Sequence, residues 1–249
     1  MKLDGLEIET QHIGPNTGPR LVFLHEGLGS LGQWRDFPAM LSEATGYGAF
    51  VYSRAGYGKS DPERMPRPVT YMHEEARKLP RILEAAGIDD PILVGHSDGA
   101  SIAILYAGEH PCRALILEAP HVFTEEPGLR SIEKARDAYL NGDLKQRLSR
   151  WHKDADAAFW GWNGPWLHPD FRAWNIESSL PKIAAPILVI QGEDDEYGTF
   201  AQVEAITQKA PRAETLLLAS CGHAPHKDQP EATLAAIAQF LKTGETSWR

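Results

Sequence analysis

Short runs of apolar residues recur along the chain, separated by stretches whose apolar positions fall at three- and four-residue steps. The runs predict strands over residues 6–13, 20–25, 49–53, 91–95, 113–118, 186–191 and 214–219. From Arg20 onward they are near-continuous rather than alternating, as expected of parallel strands covered by helices on both faces. Helices are predicted over 71–86, 99–108, 200–209 and 230–242. In the first of these, Met72, Ala76, Leu79, Ile82, Leu83 and Ala86 form one apolar stripe, and Pro80 inside it predicts a kink or a break. Strand–helix alternation of this kind reads as a doubly wound, mostly parallel α/β sheet.

The alternation stops between about residues 121 and 180. Charged amphipathic pieces at 131–140 and 143–153 are followed there by AFWGWNGPWLHPDFRAWN. Five of the seven tryptophans (Trp151, Trp160, Trp162, Trp166 and Trp174) fall in this stretch. The expectation is an α/β core of residues 1–121 and 181–249 with an inserted helical cap at 122–180. Flat aromatic side chains suit the wall of a capped pocket, but each tryptophan serves equally as glue between cap and core.

The full length, 249 residues, fits one such domain. Charge narrows the partners: 25 Lys+Arg against 34 Asp+Glu leave a formal net charge of −9, which disfavours phosphate backbones and anionic lipid. The apolar runs are too short to span a bilayer, and the opening MKLDGLEIET carries no secretory apolar core. Cys112 and Cys221 cannot build a disulfide framework. The expected setting is cytoplasmic, with a small-molecule substrate, no nucleic acid, no membrane, and a homodimer as the assembly considered.

The strongest local signal is Gly95-His96-Ser97-Asp98-Gly99, placed between an apolar run and a helical pattern. Glycines on both sides allow a sharp strand-to-helix turn that exposes the Ser97 hydroxyl, and the helix N-terminus behind it favours developing negative charge. Serine needs a base, and the base needs an orienting carboxylate. His223, in Ser-Cys-Gly-His-Ala-Pro after the last strand, is the candidate base, and Asp195, in Gly-Glu-Asp-Asp-Glu after the strand at 186–191, the candidate acid. Both would then lie at the carboxyl edge of the sheet, where open α/β sheets bind ligands.

These features resemble the α/β-hydrolase fold superfamily over essentially the whole chain. The order Ser97, Asp195, His223 matches that family's, as do Gly192 to Asp195 and Gly222 to Pro225. Ser53-Arg54-Ala55-Gly56-Tyr57-Gly58-Lys59-Ser60 looks like its R-x-G-x-G-x-S turn, and His25-Glu26-Gly27-Leu28-Gly29-Ser30 resembles its H-G-x-x-G-S oxyanion loop. The resemblance implies an oxyanion hole made by the N–H groups of Gly27 and Asp98. Glu26 departs from the pattern by replacing a glycine. Its carboxylate and that of Asp98 would oppose an oxyanion unless they turn away, are protonated or meet a cation, for which His25, Arg54 and His96 are candidates.

His25, Glu26, Trp34, His121, Trp160 and Trp162 are the candidate pocket residues. Glu118 is an alternative orienting acid, one strand earlier. Neither the Asp194-Asp195-Glu196 run nor His223-x-x-His226 makes a convincing metal site, so no metal and no cofactor is expected. The resulting reading is a serine hydrolase of a small ester, lactone or thioester. Carbon–carbon bond hydrolysis of aromatic catabolism and cofactor-free dioxygenase chemistry using the His/Asp pair are the alternatives, with a binding protein that retains the fold as a third class.

Overall fold

A computed structural model describes residues 1–247, and side chains as far as Gly244. A seven-stranded sheet runs in the order β3 (Thr10–Ile13), β5 (Gly48–Tyr52), β4 (Arg20–Leu24), β6 (Pro91–His96), β7 (Ala114–Glu118), β8 (Ile187–Gly192), β9 (Ala213–Leu218). Only β3 is antiparallel to its neighbour; the other pairs are parallel. The doubly wound sheet expected from the polarity pattern is thus present. Alternate residues explain the near-continuous apolar runs. Leu93, Leu115 and Leu117 belong to the core beneath α2 (Tyr71–Ala85) and α3 (Asp98–Ala107), whereas Ile92, Val94 and Ile116 belong to the core beneath α1 (Phe37–Thr45) and the last helix, Pro230–Ser247. A strand buried on both faces has no solvent side to carry polar residues.

Two local expectations need correction, and one helix had none. The strand expected over 6–13 is divided: β2 (Leu6–Glu7) pairs with β1 (Lys2–Leu3) in a small hairpin, and only β3 joins the sheet. Of the kink or break expected at Pro80, the break is absent: α2 runs through it with Met72, Ala76, Leu79, Ile82 and Leu83 buried; the packed stripe outweighs one missing backbone hydrogen bond. Helix α1 was not expected. Nine residues are too few for periodicity to show, and only Phe37, Pro38, Leu41 and Ser42 are buried.

Between β7 and β8 lie α4 (Glu126–Asn141), α5 (Leu144–Leu148), α6 (Ala155–Trp166) and two 3₁₀ turns. Phe159 stacks on Tyr139 with ring centroids 3.8 Å apart, and Asn163 donates to the Ile132 carbonyl at 3.1 Å. These contacts join α6 to α4. His152, just before α6, ties this segment to the core by accepting from the Gly58 N–H at 2.9 Å and donating to the Leu28 carbonyl at 3.0 Å. None of the helices among the described residues is long and apolar enough to cross a membrane.

Candidate active site

Strand register gathers the candidate residues. Leu24 pairs with Gly95, His96 with Glu118, and Gly192 with Leu218, so the loops leaving these strands emerge along one carboxyl edge. Ser97 sits between β6 and α3 at φ 53°, ψ −116°, a left-handed conformation that L residues rarely hold. Its N–H donates to the Glu118 carbonyl at 2.9 Å. The turn needs both flanking glycines. A Cβ on Gly95 would lie 2.5 Å from the Gly99 carbonyl oxygen, and one on Gly99 would lie 1.9 Å from that of Leu24.

Across the edge, His223 Nδ1–H donates to both oxygens of Asp195, at 2.8 and 2.9 Å. Asp195 also accepts from the N–H groups of Tyr197 (2.8 Å) and Gly198 (3.2 Å) and from the Gln191 amide (2.7 Å). Burial alone would raise the Asp195 carboxyl, but the His223 charge, its hydrogen bond and that from the Tyr197 N–H hold it below the usual carboxylate value. Burial alone would lower His223; the Asp195 carboxylate outweighs this, with Glu26 and Glu196 acting in the same direction, and the imidazole is raised above its ordinary 6.5. The ring packs against Tyr197, His96 and His121, at centroid distances of 4.7, 5.2 and 5.7 Å. Among the described residues no hydrogen bond joins Ser97 Oγ to His223. Such nucleophile–base contacts are commonly long without substrate and tighten in the complex.

The two expected oxyanion donors lie on adjoining segments, since Gly99 in the first turn of α3 abuts the Leu24 and His25 carbonyls that lead into Gly27. Neither the Gly27 nor the Asp98 N–H has a hydrogen-bond partner among the described residues. Arg54 holds this loop from below by donating to the carbonyls of His25 (2.5 Å) and Glu26 (2.9 Å). His25 is buried and neutral: its Nδ1–H donates to the Glu26 carbonyl at 2.7 Å while Nε2 accepts from the Arg54 N–H at 3.1 Å. Burial first, then the Arg54 charge, keeps it well below the ordinary histidine range.

Of the expected cations, Arg54 acts on Asp98 through its charge, while the direct partners of the Asp98 and Glu26 carboxylates are other groups. Asp98 accepts from the Tyr71 hydroxyl and, at 3.1 Å, from Trp166 Nε1–H; burial still raises its carboxyl above the usual range, against the pull of Arg54 and both donors. Glu26 lies 3.6 Å from Lys227 Nζ. Neither carboxylate is hydrogen-bonded to His25, Arg54 or His96 side chains among the described residues.

The remaining candidates divide. Trp162 lies on Gly27, so closely that a Cβ there would fall 2.0 Å from its ring. Trp160 packs within the insertion, against Tyr139 and Phe159. Trp34 is a buried core residue, 4.5 Å from the His226 ring and 5.1 Å from Phe23. His121 is no surface histidine: it is buried beside Trp166 and His223, and burial brings its pKa down to about 3. Glu118 bonds His226 rather than His223, accepting at one oxygen from Nδ1–H (2.7 Å) and from the backbone N–H (3.1 Å). Beside this pair, His96 Nε2–H donates to the His223 carbonyl at 2.7 Å.

Sequence reasoning missed Tyr71, Trp166, Lys227, Tyr197 and His152 as neighbours of the site. Trp166 had a signal, being one helical turn from Trp162; the others are placed only by contacts between distant elements.

Known proteins agree with this architecture. A 2-hydroxy-6-oxo-6-phenylhexa-2,4-dienoate hydrolase from Burkholderia cepacia is 25% identical over 91% of this chain and 89% of its own length. A bifunctional esterase/perhydrolase from Acinetobacter calcoaceticus is 23% identical over 79% of this chain and 82% of its own. The enol-lactonase structure from Burkholderia xenovorans LB400 superimposes with a TM-score of 0.77 at 20% identity, covering 96% of this chain and 98% of that one. Residues 21–237 match the model of the alpha/beta hydrolase family, and the chain belongs to that family.

Proposed function

We propose that the protein is a serine hydrolase that cleaves a small ester, lactone or thioester through an acyl-enzyme. The observation that carries this reading is the His223–Asp195 pair, bonded at 2.8 and 2.9 Å, at the same sheet edge as Ser97 on its strained turn. Ser97 Oγ attacks the carbonyl carbon as His223 Nε2 takes its proton, and Asp195 keeps the other ring proton on Nδ1. The N–H groups of Gly27 and Asp98 hold the tetrahedral oxyanion, each worth about 3 to 4 kcal/mol in the transition state. His223 returns the proton to the leaving group as its bond to carbon breaks. It then draws a proton from water, whose oxygen attacks the acyl carbon, and hands that proton to Ser97 Oγ as its bond to carbon breaks, releasing the acid and the free serine.

A fluorophosphonate probe is expected to label Ser97. Ser97→Ala is expected to lower kcat/KM on small esters by roughly 10⁶-fold at unchanged Tm. Unimpaired hydrolysis by that variant defeats the mechanism. Carbon–carbon bond hydrolysis is the second reading, supported by the Burkholderia cepacia relative. A panel of esters, lactones, thioesters and β-diketones, run on the wild type and Ser97→Ala, discriminates the two.

A further inference from the structure

A second buried acid–imidazole pair stands beside the candidate site and takes no part in the proton transfers of Ser97. Glu118 is 0% exposed, and one of its carboxylate oxygens accepts from both His226 Nδ1–H (2.7 Å) and the His226 backbone N–H (3.1 Å). Its other oxygen is buried without a donor. The His226 ring is wedged among Trp34, His96 and Phe37, at centroid distances of 4.5, 5.1 and 5.6 Å. A half-satisfied carboxylate in a core contributes little to stability, often less than an apolar residue of its size. Nor does the pair face room for a substrate: the cavity that His96 and His226 line holds about 10 Å³, space for no more than one water.

The pair is instead wired to both reacting groups. The main-chain carbonyl of Glu118 accepts from the Ser97 N–H at 2.9 Å, so the residue that holds the elbow by its backbone also holds, by its side chain, the residue three beyond His223. That residue lies in the turn Pro225–Asp228, where the Lys227 and Asp228 N–H groups donate to the Ala224 carbonyl at 2.8 and 3.0 Å. His96, in register with Glu118 on the neighbouring strand, donates from Nε2–H to the His223 carbonyl at 2.7 Å. Asp195 fixes how the imidazole is turned, but it grips only the ring. The contacts of His96 and Glu118 hold the main chain that carries it.

We propose that Glu118, acting through His226, is a positioning residue for the base: together with His96 it fixes the main chain of His223 against the turn that bears Ser97, and so sets the distance the proton crosses. The role rests on the reading of His223 as base, and holds whichever carbonyl substrate Ser97 attacks.

The test is steady-state hydrolysis of 4-nitrophenyl acetate by the full chain. The double variant Glu118→Leu with His226→Phe removes acceptor and side-chain donor together. No buried charge is stranded and only the backbone N–H at 226 loses its acceptor, so Tm is expected to fall by a few degrees. Its kcat is expected to fall roughly 10²-fold with KM little changed, as for a base displaced by about an ångström. Glu118→Gln keeps an oxygen that takes both His226 donors, and is expected to regain most of that rate. His96→Phe removes the other tie and is expected to show the same split between kcat and KM; it decides if the double variant does not fold. Wild-type kcat in the double variant or in His96→Phe, a loss confined to KM, or Glu118→Gln as impaired as the double variant overturns the role. His223→Ala separates this from the chemistry. Activity surviving there overturns the reading of the base and the role with it, whereas an inactive His223→Ala beside an unimpaired double variant overturns the role alone.

Discussion

The candidate chemistry depends on a few side chains whose conformations are over-determined. Ser97 is held at positive φ because the strand and helix on either side approach so closely that only glycine fits at 95 and 99. Gly99→Ala drives a Cβ into a backbone carbonyl that cannot yield, so a loss of about 4 kcal/mol or more is expected in denaturant unfolding. At the acid, Asp195→Asn changes little volume but places an amide opposite His223 Nδ1 and favours the wrong tautomer. A fall in kcat of roughly 10³- to 10⁴-fold with the fold intact is expected. The pH profile carries the sign. His223 must be neutral to accept a proton, and Asp195 raises its pKa, so the rising limb of kcat/KM lies above the ordinary imidazole value of 6.5. Asp195→Asn moves that limb to lower pH; an unmoved limb means that His223 is not the group being titrated.

At the scale of elements, the informative one is α6. It sets Trp162 and Trp166 one turn apart, the first against Gly27 and the second bonded through Nε1 to Asp98, so a single helix covers both expected oxyanion donors. Trp166→Phe keeps an aromatic ring of smaller area and removes the N–H that Asp98 and the Tyr71 hydroxyl share, leaving Asp98 with the Tyr71 hydroxyl as its side-chain donor. A destabilisation of about 1 to 3 kcal/mol is expected, with faster amide exchange across Ala155–Trp166. Unchanged exchange there defeats the view that this bond fastens α6. The elbow, the base loop and the acid loop were legible because each is a local pattern, glycines and a polar residue beside an apolar run. The Trp166–Asp98 bond was not, because it joins residues 68 positions apart and neither looks unusual in its own neighbourhood.

At the scale of the molecule, charge sets which substrates approach. The net charge of −9 and the rim carboxylates Glu26 and Glu196, both of which act on His223, disfavour anionic substrates. Neutral esters are expected to turn over faster than matched esters bearing a carboxylate. The gap should narrow with added salt, and Glu26→Gln should raise kcat/KM for the anionic member several-fold while leaving the neutral one nearly unchanged. Measuring both ratios at low and high ionic strength checks this, and a salt-independent gap defeats it.

Apolar runs, helical stripes and glycine-flanked turns depend on each residue's own neighbours, so the sequence by itself determined the doubly wound sheet, the elbow at Ser97 and the loops bearing Asp195 and His223. Partner choice is a property of space. Glu118 ends β7 and Asp195 follows β8, both acids at the carboxyl edge, yet only the order β6–β7–β8–β9 sets Asp195 against His223 and Glu118 against His226. The tertiary structure alone decided that Tyr71, Trp166 and Lys227 would face the two carboxylates beside the oxyanion loop, because a buried charge is satisfied by whichever donor the packed elements bring within hydrogen-bonding distance.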